Sequence, residues 1–228
     1  MELHIYKTVD EVITALADHF VSEAHKAIAQ KGRCNVVLSG GGSPKKLYEL
    51  LASAYRNKVE WIQMYFYFGD ERFVPFEDPD NNGYMVKKSL FEPLYIAPDQ
   101  IFYIETEGTP QEAAAKYAER IKGVEFDIVL LGLGDNAHTA SLFPHTPVLH
   151  EKQALAKEVF LEDKNSWRIT LTAPAINSAK DISFLVYGQS KAKAVHEVLH
   201  GPRDIEEYPA QLINAHHWFM DEAAQYHK

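Results

Sequence analysis

FDIVLLGLGDNAHTASLFP, residues 126–144, is the stretch on which the reading of this chain turns. It opens with Ile128-Val129-Leu130-Leu131, a continuous apolar run of the kind that forms a parallel strand covered on both faces. Periodicity alone leaves a buried helix open as well. Gly132 and Gly134 then permit a tight turn and a close backbone approach. Asp135 and Asn136 are good helix N-caps, which puts His138 in the first turn of an expected helix. The product is a histidine at the carboxyl edge of a sheet, where open α/β sheets bind their ligands. A plain strand-to-helix connection with a histidine near the surface fits the same spacing.

Upstream, residues 35–39 (NVVLS) repeat the arrangement. A buried strand runs into Gly40-Gly41-Gly42-Ser43-Pro44, and Leu47, Tyr48, Leu50 and Leu51 follow at helical spacing. Glycines let successive N–H groups converge on one anion, and the helix N-terminus adds partial positive charge. Pro44 is tolerated in a first turn. The run matches neither the Walker A pattern nor G-x-G-x-x-G. Its two readings are a phosphate cradle made by Gly40, Gly41, Gly42 and Ser43, and a glycine-rich connection.

Residues 61–68 (WIQMYFYF) read as a further strand that exits into Gly69-Asp70-Glu71-Arg72. Arg72 suits an anion, and Asp70 or Glu71 suits a base or a sugar hydroxyl; a solvated strand exit has the same composition. Residues 76–83 form a loop in which Asn82 is either a ligand donor or a turn residue. Residues 86–94 and 111–122 read as helices, and 101–104 as a short strand. At the N-terminus an edge strand over 3–6 precedes a capping box, Thr8 to Glu11, and a helix striped by Val12, Leu16, Phe20 and Ala24 that ends at Gly32.

Downstream, residues 146–162 suggest a loop with short elements. Strands are expected over 167–171, with Arg168 exposed near the start, over 181–187, and over 217–220. A helix from Ser190 places Lys191 in its first turn, where a cation opposes the macrodipole.

The formal net charge of −9 argues against nucleic acid or an anionic membrane as partner, but leaves room for a small anionic substrate. No apolar run reaches membrane-span length, and residues 1–11 carry no secretory signal pattern. Cys34 is the one cysteine, which suits a cytoplasmic location. There is no H-E-x-x-H, no cysteine cluster and no G-x-S-x-G. His216 and His217 would point to opposite faces of a strand, so no metal site is read.

Taken together and in order, these pieces resemble the 6-phosphogluconolactonases of the glucosamine-6-phosphate isomerase/lactonase superfamily. The pieces are Ser39 through Lys45, Gly69 through Arg72 with Val74-Pro75, Gly132-Leu133-Gly134 through Pro144, Arg168 through Leu171 with Pro174 through Asn177, the turn from Gly188 to Lys191, and Pro209-Ala210. The resemblance implies hydrolysis of 6-phosphogluconolactone in the oxidative pentose phosphate pathway, with no metal or organic cofactor. It implies His138 as general base, the glycine loop, Arg72 and Lys191 on the phosphate or neighbouring oxygens, and Arg168 lining the same pocket. Where the family usually has Gly-Gly-Ser-Thr-Pro and Pro-Asp-Gly, this chain has Gly41-Gly42-Ser43-Pro44 and Asp135-Asn136-Ala137. The isomerases and deaminases of the superfamily carry a carboxylate five positions beyond the histidine, where this chain has Phe143. A non-catalytic sugar-phosphate sensor is the alternative of another class. The expected fold is α/β: one domain over residues 1–228, a three-layer sandwich whose mostly parallel, Rossmann-like sheet is flanked by helices, in a monomer or weak homo-oligomer.

Overall fold

The computed structural model describes residues 1–225; the last three positions of the expected domain lie outside them. Nine strands and seven α-helices run through these residues in the order β1 (Glu2–Tyr6), α1 (Val9–Lys31), β2 (Cys34–Leu38), α2 (Gly42–Ala52), β3 (Met64–Phe68), β4 (Asp70–Arg72), α3 (Asn82–Val86), α4 (Glu92–Leu94), α5 (Pro110–Arg120), β5 (Ile128–Gly132), β6 (Ala156–Leu161), β7 (Ser166–Leu171), α6 (Ala173–Asn177), β8 (Asp181–Val186), α7 (Ala192–His200) and β9 (His217–Asp221). Six strands form one sheet in the order β1-β9-β8-β5-β2-β3, and every pairing in it is parallel. The central strands β2 and β8 are buried at every residue, as a sheet covered on both faces demands, whereas the edge strand β1 is half exposed.

Local chemistry sets the helix ends. Thr8 and Glu11 make the reciprocal capping box of α1, and Gly32 ends that helix in the left-handed region at φ 75°. Thr109 and Glu112 do the same for α5. Within α5, Tyr117 turns inward, and its hydroxyl engages both the N–H and the carbonyl of Phe68 at the end of β3.

The chain steps from β2 out to β3 on one side, then returns to β5 on the other side of β2. The carboxyl ends of β2 and β5 therefore flank a topological switch point, the place where such sheets open a crevice.

Several expectations are corrected. No helix follows β5, and His138 sits in a loop. Asn136 spends its side-chain oxygen on His138 instead of a helix N-terminus, and the turn closes through Gly134 N–H to the His138 carbonyl at 2.8 Å. Asp70–Arg72 is not a strand exit at the main sheet edge. It pairs antiparallel with β7, which pairs with β6, giving a second, three-stranded sheet. The strand expected over 61–68 begins at Met64, after a 3-10 turn. The strand expected over 101–104 shrinks to one bridge from Ile101 to Phe66. Lys191 is the N-cap residue of α7 rather than a member of its first turn.

Candidate active site

At the switch point lies an open pocket of about 260 Å³. Three loops build it: Ser39–Pro44 after β2, Gly132–Ala140 after β5, and Leu185–Lys191 at the end of β8. The strand β4 adds Asp70 and Arg72, and the start of α3 adds Asn82. Of the residues expected from sequence, Gly40, Gly41, Gly42, Ser43, Asp70, Arg72, Asn82, His138 and Lys191 all line this pocket. Arg168 does not. It lies opposite Arg72 in the β4–β7 register, with its Nε buried and without a partner among the described residues.

The glycine loop is shaped for an anion. Gly41 has φ 100°, a conformation L side chains rarely adopt, and caps α2 with no side-chain hydrogen bond. The first turn of α2 carries no acidic residue, so its free N–H groups face the pocket region unopposed. Gly40 is required for a different reason: a Cβ there would come within 1.9 Å of Asn82 Oδ1. Asn82 is thereby packed on the cradle. Its Nδ2 donates to the Asp70 carbonyl at 3.0 Å, while Oδ1 is buried with no partner among the described residues.

Glu71 holds this wall together. Its buried carboxylate accepts the N–H groups of Arg72, Asn82 and Gly83, tying β4 to α3. Burial pushes its carboxyl up to about 7 in spite of those three donors. Next to it Asp70 accepts from Ser141 Oγ at 2.6 Å, and burial raises its carboxyl above the ordinary range. Glu71 and Asp70 are thus committed inside the protein. The role of Glu71 was not legible locally, because two of its three donors lie eleven and twelve residues away.

His138 lies against Gly134, where a Cβ would sit 2.0 Å from Nδ1. Its ring stacks on Phe143 at 3.9 Å between centroids, tilted by 15°. Both the backbone N–H of His138 and its Nδ1 face Asn136 Oδ1, at 3.3 and 2.5 Å. An amide oxygen only accepts, so Nδ1 carries the proton and Nε2 holds the lone pair. Burial, then the cations Lys164, Lys191 and Arg168, push the imidazole down to about 4, with Asp135 pulling the other way. The ring is therefore neutral at pH 7. Asp135 does not touch the ring. It pairs with Lys191 at 2.5 Å, and Lys191 holds its carboxyl below the usual range.

No His, Cys, Asp and Glu group of metal-ligating geometry occurs in this pocket among the described residues. Cys34 is buried at the far end of β2, and burial pushes its thiol up, which removes it as a nucleophile.

The geometry has counterparts elsewhere. The family model for glucosamine-6-phosphate isomerases/6-phosphogluconolactonase matches residues 7–222. A 6-phosphogluconolactonase of Nostoc sp. is 36% identical over 226 residues, covering 93% of this chain and 92% of that protein. Another from Haemophilus influenzae is 34% identical over 230 residues, covering 96% of each. The crystal structure of 6-phosphogluconolactonase from Thermotoga maritima superposes with a TM-score of 0.84 at 27% identity, over 97% of this chain and 100% of that one. With a match that runs from α1 to the end of β9 and relatives similar along their whole length, this chain belongs to the glucosamine-6-phosphate isomerase/6-phosphogluconolactonase family.

Proposed function

We propose that this chain hydrolyses 6-phospho-D-glucono-1,5-lactone to 6-phosphogluconate, the lactone-opening step of the oxidative pentose phosphate pathway, with His138 as general base. The observation that carries the reading is the Asn136–His138 contact, which leaves a neutral imidazole with its lone pair on Nε2 beside an anion cradle. Relatives that bear the lactonase name support the choice of substrate.

The phosphate docks on the N-terminus of α2 and the glycine loop, with Arg72, Lys191 and the nearby Arg168 supplying positive charge. A sugar hydroxyl satisfies Asn82 Oδ1, the buried acceptor that the protein leaves unpaired. Water bound at His138 Nε2 gives up a proton as its oxygen attacks the lactone carbonyl carbon. The carbonyl oxygen becomes an oxyanion, stabilised by the local cations and backbone N–H groups. Collapse breaks the bond to the ring oxygen, which leaves as a hydroxyl and takes the proton back from the imidazolium. The carboxylic acid product then ionises, so each turnover releases one proton. A lone, buried Cys34 is compatible with a cytoplasmic setting.

Phe143 argues against the isomerase and deaminase branch. It fills the position of that branch's carboxylate with a ring stacked on His138.

The test uses lactone generated in situ and proton release measured against an enzyme-free blank. We expect strong acceleration, no ammonia from glucosamine 6-phosphate, and a loss of about 10²–10⁴ in rate for His138→Ala. Wild-type rates in that variant would remove His138 from the mechanism. Phosphosugar binding without turnover would make the protein a sensor.

A further inference from the structure

We propose that the chain binds one divalent transition-metal ion of the zinc class at the amino edge of the sheet, on His19, Asp181 and His217. These three residues come from α1 and from the first positions of β8 and β9, the opposite end of the strands from the catalytic pocket. His19 Nε2 lies 3.0 Å from Asp181 Oδ2, and His217 Nε2 lies 3.4 Å from the same oxygen. The three donor atoms all fall within 4.8 Å of one another. Tetrahedral zinc with bonds of about 2.0 Å to nitrogen and oxygen separates neighbouring donors by about 3.3 Å. The site offers two imidazoles and one carboxylate, a donor set that zinc accepts with water in the fourth position.

The surrounding groups orient these donors as a metal site requires. Ser183 Oγ donates to Asp181 Oδ1 at 2.8 Å, which leaves Oδ2 facing the two imidazoles. Glu2 Oε2 lies 3.5 Å from His217 Nδ1, so a proton held there turns the Nε2 lone pair toward Asp181. His4 closes the outer layer, with Nε2 3.1 Å from His217 Nδ1 and its ring stacked on Phe219. The side chains of His19 and His217 keep 16% and 20% of their exposure, enough for an ion to enter, while Asp181 keeps 6%. An ion here joins α1, β8 and β9 and takes no part in the lactone chemistry.

The experiment titrates chelator-treated full-length protein with Co²⁺, read by its visible absorption, and with Zn²⁺, read by thermal unfolding. We expect one equivalent of Co²⁺ with tetrahedral-type bands. Zn²⁺ should raise Tm by roughly 5 °C or more at about a hundred times its Kd. kcat/KM should stay within about twofold with or without the ion. His217→Gln and His19→Gln should each abolish the bands. His19 lies on the outer helix, so its variant keeps the test open where His217→Gln disturbs the strand. His138→Ala and His200→Gln, the latter on the other histidine pair, His196 and His200 of α7, should leave the bands intact. Absence of both signals, bands that survive His19→Gln, or bands lost in His200→Gln or His138→Ala would overturn the assignment.

Discussion

Replacing Asn136 by Asp tests the catalytic reading at its centre. In the present protein Asn136 fixes the tautomer of His138 but adds no charge, and burial with three nearby cations holds the imidazole at about 4. A carboxylate at the same distance favours the imidazolium. An opposite charge within about 4–6 Å shifts a pKa by roughly 1–3 units. Asn136 is exposed, so solvent screening selects the lower half of that range, about 1–2 units. The sign follows: a raised pKa means the base is protonated, and lost, at higher pH. The acid limb of kcat/KM should therefore move from about 4 to about 5–6. At pH 5 the wild type retains about nine-tenths of its plateau, whereas a variant with a limb at 6 retains about a tenth, since each unit is tenfold. The substrate phosphate also ionises near pH 6, roughly. That ionisation is common to both proteins and cancels in the variant-to-wild-type ratio across pH. A flat ratio between pH 4 and 7, with binding intact, would mean that Asn136 does not control the reacting group.

Other perturbations bear on the same geometry. Gly134→Ala adds a Cβ that would meet the imidazole at 2.0 Å while demanding no unusual φ. We expect kcat/KM to fall by about 10² with Tm unchanged; full activity would show that the ring position is irrelevant. Lys191→Met removes a cation from the pocket wall and should raise KM by about 10- to 150-fold, more than it lowers kcat, as measured by initial rates. Glu71→Gln turns one acceptor into a donor facing the Gly83 or Asn82 N–H. It should cost about 1–3 kcal/mol in urea unfolding and weaken phosphosugar binding through Asn82.

The main sheet was legible because its central strands are dominated by short apolar runs and its glycine turns follow them directly. Residues 35–39 and 128–131 needed no distant information. Of the second sheet only β7 was legible, because the other two members carry mixed surfaces: β4 is Asp-Glu-Arg, and β6 mixes buried, half-buried and exposed residues over Ala156–Leu161. Pairing with β7, nearly a hundred residues from β4, makes Asp70–Arg72 a strand, and no local pattern encodes that. The pocket residues were legible as chemistry, since glycines, cations and one histidine at strand ends stand out. Their pairings were not. Nothing in the order Asp135-Asn136-Ala137 says that the carboxylate turns to Lys191 and the amide to His138. Arg168 stands behind the lining, opposite Arg72, and a basic residue near a strand start carries no sign of which neighbour stands in front of it.

The loop misread as a helix shows why the second sheet matters to the chemistry. Ala137 and Ala140 hold φ of 59° and 47°, a region that costs a non-glycine residue roughly 1–2 kcal/mol each. Local propensity therefore opposes the very conformation that presents His138. The family's usual glycine at position 137 would relieve part of that cost, and this chain does without it. One bond within the loop and two from distant segments hold it instead. Ala210 N–H donates to the Ala137 carbonyl at 3.0 Å, Thr139 Oγ1 donates to the Gly132 carbonyl at 2.9 Å, and Ser141 N–H donates to Thr170 Oγ1 at 3.1 Å. Ala137, Thr139, Ser141 and Leu142 are buried, so these bonds form away from water, each worth about 1 kcal/mol. Thr170 belongs to β7, the strand that also aligns Arg168 with Arg72. One antiparallel sheet thus fixes the cationic wall and one end of the histidine loop together, and a shift of β7 would displace base and anion site as a unit.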